Sequence, residues 1–363
     1  MKVSKWLAGG ATVAVALIST TGAFADDWWQ STKISGRMYF DTSYITQKSD
    51  GSKAGLTKNG YGFDIKRFYV GIDHKFNDIF SANITTDFTY DSGAKATQIF
   101  IKKAYLQAHI NDMLDIRLGA TDLPWVPFAE GVYGYRHIEN TLIDRTKFGT
   151  SSDWGVHASG KLADGLVNYA VAVINGAGYK NPPGTGGSAD THFKTIDFEG
   201  RVNLNYEGFV AGVGGYTGKL GKDVQGATTF HRAKRVNAIG AYTNKQFRIG
   251  VEYFKAWDWN NVTSATSESS WGYGPFASFN VNPEWSVFGR WDHVKPNDST
   301  VPALKDNYFN VGVQWEPTKI VDLALVYKRD KADNGFISTS NGTIGGATNG
   351  TYDEFGLFGQ LRW

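Results

Sequence analysis

Apolar and polar positions alternate with a period of two along nearly the whole chain, where a helical protein would repeat every 3.6 residues. In "KISGRMYFDTSY" one face carries Ile34, Met38, Phe40 and Tyr44, with Gly36 in the same row. The other face carries Lys33, Ser35, Arg37, Asp41 and Ser43. "RFYVGID" sets Phe68, Val70 and Ile72 against Arg67, Tyr69, Gly71 and Asp73. "SANITTDFTYD" repeats the pattern with Ala82, Ile84, Phe88 and Tyr90 on its apolar side. The same comb recurs near residues 98–110, 114–121, 152–162, 166–175, 195–206, 208–217 and 233–243. It continues near 246–256, 271–281, 285–294, 307–316, 320–330 and 353–363. That makes about sixteen segments, most close to the ~10 residues of a tilted membrane strand.

The connections alternate in length. "NDIF", "NDML", "ADG" and "NPEW" are short and carry turn chemistry. "NGAGYKNPPGTGGSADTHFK", "KPNDSTVPALKDN" and "KADNGFISTSNGTIGGATNGTYD" are long and rich in Gly, Ser, Thr and Asn, as exposed loops are. Short turns at one end and long loops at the other describe an up-and-down antiparallel meander. A soluble β-sandwich also alternates, but its core does not easily take sixteen amphipathic strands in one meander. A closed barrel in lipid turns the apolar rows outward and lines water with the polar rows. The reading is therefore an all-β transmembrane barrel of about sixteen strands. Tyr44, Tyr90, Trp154, Trp271, Trp285, Trp315, Tyr327 and Trp363 stand near strand ends, where interfacial girdles belong. The tail "DEFGLFGQLRW" keeps the comb to its final residue, which predicts a last strand held by pairing with the first.

The amino terminus reads differently. "MKVSKWLAGGATVAVALISTTGAFA" has Lys2 and Lys5, an apolar stretch from Trp6 to Ile18, and Ala23-Phe24-Ala25. This predicts a secretory signal over residues 1–25, cleaved before Asp26, and a barrel domain over 26–363. Its removal leaves 35 basic and 35 acidic residues, without the basic excess expected of a nucleic-acid binder. The chain has no Cys, which excludes a disulfide-stapled scaffold.

Charge then falls into a pattern. Arg37, Arg67, Lys103, Arg117, Arg201, Arg248, Arg290 and Lys328 lie on polar rows and are candidate pore-wall cations. Asp41, Asp87, Glu199, Glu252, Asp292 and Glu354 share those rows. A charge facing lipid would cost ~2–4 kcal/mol at the midplane, so this confinement supports the barrel. The two signs nearly balance, which leaves a salt-bridged wet wall and a solute-specific ladder both open. The segment from Asp122 to Thr150 lacks alternation and holds Pro124, Trp125, Pro127 and Phe128. It gathers Glu130, Arg136, His137, Glu139, Asp144, Arg145 and Lys147, and these are candidate constriction residues if it folds inward. An ordinary outer loop is the competing reading.

Three stretches carry a closer likeness: "FDIKRFYVGIDHKFND" followed by "IFIKKAYLQAHI", then "IRLGATDLPWVPFAEGVYGYRHIENTLIDR", then "DFEGRVN". With them the chain resembles bacterial outer-membrane porins, and most of all the phosphate-selective porin O/P family. The resemblance implies a homotrimer of water-filled channels in a bilayer that contains lipopolysaccharide, each narrowed by an inward loop and passing small solutes. It also implies that the aromatic-tipped carboxy-terminal strand is recognised by the barrel-assembly machinery. Anion preference in that family comes from cations down the channel, and the balance of signs here argues against strong phosphate selectivity.

Enzyme signals are weak. The seven His residues form no HExxH or other close ligand pair, so neither a metal nor another cofactor is expected. "GVGGYTGKLGK" departs from a phosphate loop at Val213 and Leu220 and reads as a Gly-rich strand. An outer-membrane hydrolase and a plugged structural or adhesive barrel remain the alternatives to a porin.

Overall fold

The computed structural model describes residues 30–53, 55–56, 58–91, 96–181 and 192–363. The signal segment and the Tyr90 side chain lie outside the described residues. Strands β1 (Thr32–Ser49), β2 (Gly60–Lys75), β3 (Phe80–Asp91), β4 (Ala96–Asn111) and β5 (Leu114–Asp122) run as an antiparallel meander. Two short helices follow, α1 (Val126–Tyr133) and α2 (Leu142–Arg145). The meander resumes with β6 (Ser152–Leu162), β7 (Val167–Ile174), β8 (Asp197–Tyr206), β9 (Phe209–Gly218) and β10 (Ala233–Thr243). It continues through β11 (Phe247–Trp257), β12 (Ser269–Asn280), β13 (Trp285–Lys295), β14 (Lys305–Thr318) and β15 (Val321–Asp333). A small hairpin, β16 (Phe336–Thr339) and β17 (Gly342–Gly345), precedes the last strand β18 (Asn349–Arg362). β18 pairs with both β15 and β1, which closes a barrel of sixteen strands.

Each comb read from the sequence is one barrel strand. The largest boundary difference is β2, which begins at Gly60 rather than near residue 67. Its register with β1 shifts between Tyr39↔Arg67 and Phe40↔Ile65, leaving Lys66 as an extra residue that breaks the alternation. The β16–β17 hairpin lies in a stretch read as loop. Its Ile337 and Ile344 are buried against Ala332 and Tyr352, a four-residue alternation too short to stand out.

The outer surface is apolar. Leu325 is 52% exposed and Val311 53%, while Asp306 and Asp330 on the opposite rows are fully buried. Trp285 stacks on Trp315 with 5.9 Å between ring centroids near the short-turn end. Tyr44, Trp271 and Tyr327 stand toward the long-loop end, so aromatic residues flank the apolar band at both margins.

The barrel wall is not uniform. β2 pairs with β3 only from Val70↔Thr86 to Lys75↔Ser81, and β4 pairs with β5 only as far as Ala104↔Ala120. The loop-side halves of β2, β3 and β4 therefore carry backbone edges without a neighbouring strand. Tyr61 (89%), Phe63 (90%) and Ile99 (76%) beside those edges are the most exposed large apolar side chains among the described residues.

The carboxy terminus is tied rather than frayed. Gly36 N–H donates to Trp363 O at 3.0 Å, and Trp363 N–H donates to Gly36 O at 3.2 Å. The Trp363 ring lies across Gly36, where a Cβ would fall 1.9 Å from a ring carbon. Deleting Leu361–Trp363 removes this closure and an interfacial aromatic together. The expected result is loss of folded, heat-modifiable protein from the membrane fraction, and normal accumulation of the truncated chain would contradict it.

Candidate pore and its inward segment

Residues 123–151 enter the barrel. Pro127, with its fixed φ and missing N–H, suits the first turn of α1. Gly134 ends the helix at φ +83, and its N–H donates to Glu130 O at 2.8 Å. A side chain at Gly134 would collide with Arg248, whose Nη1 lies 1.4 Å from an ideal Cβ. Glycine is needed there for conformation, and a side chain would also push the Arg248 guanidinium off Tyr133 O.

A helix inside a barrel buries backbone groups that need partners. The wall supplies them. Glu199 accepts from Trp125 N–H at 3.0 Å, ahead of α1, and Glu252 accepts from Leu142 N–H at 3.1 Å, ahead of α2. Glu252 also accepts from the Trp125 indole at 2.9 Å. Arg201 donates to Pro124 O at 2.7 Å, Arg248 to Tyr133 O at 2.9 Å, and Arg235 to Phe148 O. Arg290 donates to Asn140 O. Carboxylates meet helix starts and a guanidinium meets the end of α1, as the helix dipole favours.

Apolar packing adds to this. Ile239, Phe254, Phe276, Phe288, Val326 and Phe358 are buried on inner barrel rows and form one cluster with Val126, Tyr133, Ile138, Leu142, Ile143 and Phe148. Phe148 lies 4.8 Å from Phe254, and Tyr135 stacks on Phe288 at 4.3 Å. The sequence reading expected polar rows throughout the lumen. On β10–β15 and β18 the inner rows are partly apolar because they hold a protein segment instead of water.

Arg145 anchors the segment. It is fully buried, donating to Asp292 at 2.8 Å, Asp306 at 2.6 Å and Asp330 at 3.0 Å, with its guanidinium 4.4 Å from the Tyr308 ring. Glu139 pairs with Lys328 at 3.5 Å, and Lys328 with Glu354 at 3.3 Å. Lys328 and neighbouring Lys66 hold the Glu139 carboxyl down at about 2 despite its burial. The tip of the β16–β17 hairpin joins them: Ser340 Oγ donates to Glu139 at 2.7 Å, and Ser340 N–H donates to Arg145 O at 2.8 Å.

Two cavities lie on the opposite side of the segment, against β1–β4. The one toward the long loops has a volume of about 1050 Å³, and the one toward the short turns about 530 Å³. Among the described residues, Tyr39 and Arg136 alone border both. The Arg136 guanidinium lies 6.0 Å from the Tyr39 ring and pairs with Glu130 at 2.6 Å and Asp144 at 3.8 Å. Tyr39 also meets Tyr69 at 6.1 Å and accepts from Arg37 at 3.2 Å.

Two β-bulges enrich this wall in cations. The extra residue on β2 places Lys66 and Arg67 together on the larger cavity. On β4 the register steps from Thr85↔Lys103 to Thr86↔Ile101, and Lys102 and Lys103 both border the smaller cavity. A regular strand would turn one of each pair outward. Lys66 pairs with Asp41 at 2.9 Å, Arg67 with Asp87 at 2.8 Å and Lys103 with Asp122 at 2.5 Å. Arg37, Lys58, Lys102, Lys147 and Lys180 border the cavities with no carboxylate in ion-pair contact among the described residues. Among the described residues, the lining side-chain carboxylates without a cation in the same way are Asp64 and Asp73.

The candidate residues therefore divide. Glu130, Arg136, His137, Glu139, Asp144 and Lys147 border the cavities, as do Arg37, Arg67 and Lys103. His137 Nε2–H donates to Gln314 Oε1 at 3.1 Å, and burial lowers its pKa to about 3, so it is neutral at ordinary pH. Arg145 does not border them; three carboxylates draw it away from the open side. Arg201, Arg248, Arg290 and Lys328 hold the segment and border neither of these two cavities; Arg248 also lines a smaller one of about 260 Å³ at the short-turn end. Arg117 lies beside Gln107 and Tyr105, toward the short turns. Tyr39, Lys66, Lys102, Lys180 and Arg235 were not singled out from sequence. Row parity alone would have found Tyr39 and Arg235, and the bulge pairs show as a slip of parity from Ile65 to Phe68 and from Ile101 to Ala104.

No protein-family model and no curated protein matches the chain. Solved structures do share its fold. The outer membrane channel DcaP of Acinetobacter baumannii is 15% identical, covering 92% of this chain and 97% of its own, with a TM-score of 0.66. The anion-selective porin from Comamonas acidovorans is 12% identical over 92% and 99%, with a TM-score of 0.65. Salmonella typhi OmpF, in complex with daunomycin, is 10% identical over 92% and 97%, with a TM-score of 0.59. At these identities the likeness is one of architecture: this chain has the sixteen-strand barrel found in bacterial outer-membrane channels.

Proposed function

We propose that the protein is an outer-membrane porin, a passive water-filled channel for small hydrophilic solutes and ions, with a preference for anions. The observation that carries this reading is the pair of cavities meeting at Tyr39 and Arg136, bordered by more unpaired cations than unpaired carboxylates. In a narrow, low-dielectric throat such an excess acts on passing ions far more strongly than in bulk water. The likeness in fold to an anion-selective porin and the sequence resemblance to phosphate-selective porins support the same sign. Export through cleavage after Ala25, and recognition of the β18 strand by the assembly machinery, belong to this reading. So does a homotrimer, in which a second copy covers the open edges of β2, β3 and β4.

The test is planar-bilayer recording of the purified mature protein. Stable ohmic steps with a reversal potential on the anion side in a salt gradient are expected. Absence of current would favour a plugged structural barrel, and turnover of lipid or peptide without current would favour a hydrolase. A cation-side reversal would remove the anion preference while leaving the channel.

A further inference from the structure

A side cavity of about 280 Å³ lies next to the larger of the two that meet at Tyr39 and Arg136. It sits on the β6–β10 side of the inward segment, at the long-loop ends of those strands. Lys147, Gly149, Thr150, Ala177 and Gly178 border both spaces and form the partition between them. Lys147 holds this place at φ +62, a backbone conformation that few side chains adopt, and the Trp259 indole donates to its carbonyl at 3.0 Å. The route past Tyr39 and Arg136 leaves this chamber to one side.

Most of the charged groups in its wall are already engaged. Asp153 accepts from the N–H groups of Trp154, Gly176 and Gly178 at 2.7, 2.9 and 3.1 Å. Glu199 accepts from Trp125 N–H and from Arg235, each at 3.0 Å. Arg235 also donates to Asn237 and Phe148 O, and its guanidinium lies 4.9 Å from the Trp259 ring. The Tyr216 hydroxyl donates to Asp197. Lys147 and Lys222 differ, because neither ammonium has a carboxylate in ion-pair contact among the described residues. Leu123, Ile174, Ala177 and Leu220 supply an apolar lining beside them.

This inventory selects an occupant. A cation or a zwitterion needs a free carboxylate, and both side-chain carboxylates of the wall are taken. Inorganic phosphate would shed water against Leu123, Ile174 and Leu220 without gaining hydrogen bonds there. A single carboxylate on a compact apolar body satisfies both halves of the wall, its oxygens on the ammonium groups and its carbons on the aliphatic side chains. The volume lies just below the ~300–1,000 Å³ of ordinary small-molecule pockets, which suits a body of a few carbons. We infer that this chamber is a subsite for short-chain monocarboxylates, entered from the larger cavity past Lys147. The inference deepens the porin reading, on which it rests for delivery of the solute, and it ranks organic above inorganic anions.

The experiment titrates the mature full-length protein in detergent with hexanoate, acetate, hexanamide and inorganic phosphate, by calorimetry against detergent alone. Each methylene buried in an apolar site strengthens binding about fourfold. A hydrogen bond to a charged group is worth about tenfold or more. Wild type should therefore bind hexanoate at least about tenfold more tightly than any of the other three. Lys222→Gln should weaken hexanoate about tenfold and leave hexanamide as it was. Leu220→Ser should weaken hexanoate and leave acetate as it was. Equal binding of hexanoate and acetate by wild type would overturn the inference without any variant. So would hexanoate binding that both folded variants leave unchanged, or its displacement by phosphate at equal concentration. Bilayer recording of the same preparation separates the two readings. Hexanoate binding by a protein that passes no current would refute the channel and not the subsite, whereas a conducting protein that binds no hexanoate would refute the subsite alone.

Discussion

Arg145→Ala should make the proposed channel wider and noisier. The substitution leaves Asp306 and Asp330 buried without their guanidinium, and Asp292 with Arg290 alone. Breaking a buried ion pair on one side typically costs about 3–5 kcal/mol, because the remaining charge stays desolvated. Here the cheapest relief is for α2 to leave the wall and let water reach the carboxylates. Sixteen-strand barrels enclose an aqueous channel when nothing fills them. Single-channel conductance should therefore rise, on the order of twofold, with frequent flicker as the segment moves. The barrel itself should survive, since its closure depends on β1–β18 pairing. An unchanged conductance with intact folding would mean that the apolar cluster around Phe148 and Phe254 holds the segment without Arg145.

The second large effect is on selectivity and belongs to Arg136. Arg136→Gln leaves Glu130 and Asp144 beside the junction of the two cavities without their shared cation. A unit charge about 6 Å from a passing ion contributes about 0.7–3 kcal/mol, for effective dielectric constants between water and a protein surface. Loss of that contribution, with two carboxylates uncovered, should move the reversal potential toward cations while changing conductance little. The same substitution on a solvated outer loop would be screened within ~8–10 Å. A reversal potential equal to wild type would return selectivity to the Lys66–Arg67 and Lys102–Lys103 pairs.

Most of the barrel was legible because lipid and water impose one periodicity on every strand. The comb of Leu357, Phe355 and their neighbours, and the turns between short connections, needed no tertiary information. The inward segment was legible by its missing alternation and its Pro and aromatic content. Its attachment was not. Arg145 and Arg136 are both cations in an irregular stretch, and only the positions of Asp292, Asp306 and Asp330 across the barrel separate an anchor from a pore residue. Likewise Arg201, Arg248 and Arg290 share the parity of true wall residues, and their role follows from the carbonyls that approach them. Inner-facing Phe254, Phe276 and Phe288 alternate with outer apolar residues, so an apolar half of the lumen resembled a thicker hydrophobic strand. The bulges at Lys66 and Lys102 show in sequence only as a change of parity, between Ile65 and Phe68 and between Ile101 and Ala104, each bracketing two adjacent cations.

The chain contains no cysteine, so one introduced thiol reports its own surroundings. The central claim is that the path runs between the inward segment and β1–β4, through Tyr39 and Arg136, and not through the packed side against β10–β15. Tyr39→Cys, exposed to a bulky charged thiol reagent during bilayer recording, tests it directly. Current through Tyr39→Cys should fall sharply with reagent added on either side, while Ala324→Cys, buried on the inner face of β15, should stay unmodified and conduct normally. Block at Ala324→Cys with Tyr39→Cys unaffected would place the path on the other side of the segment and contradict the account.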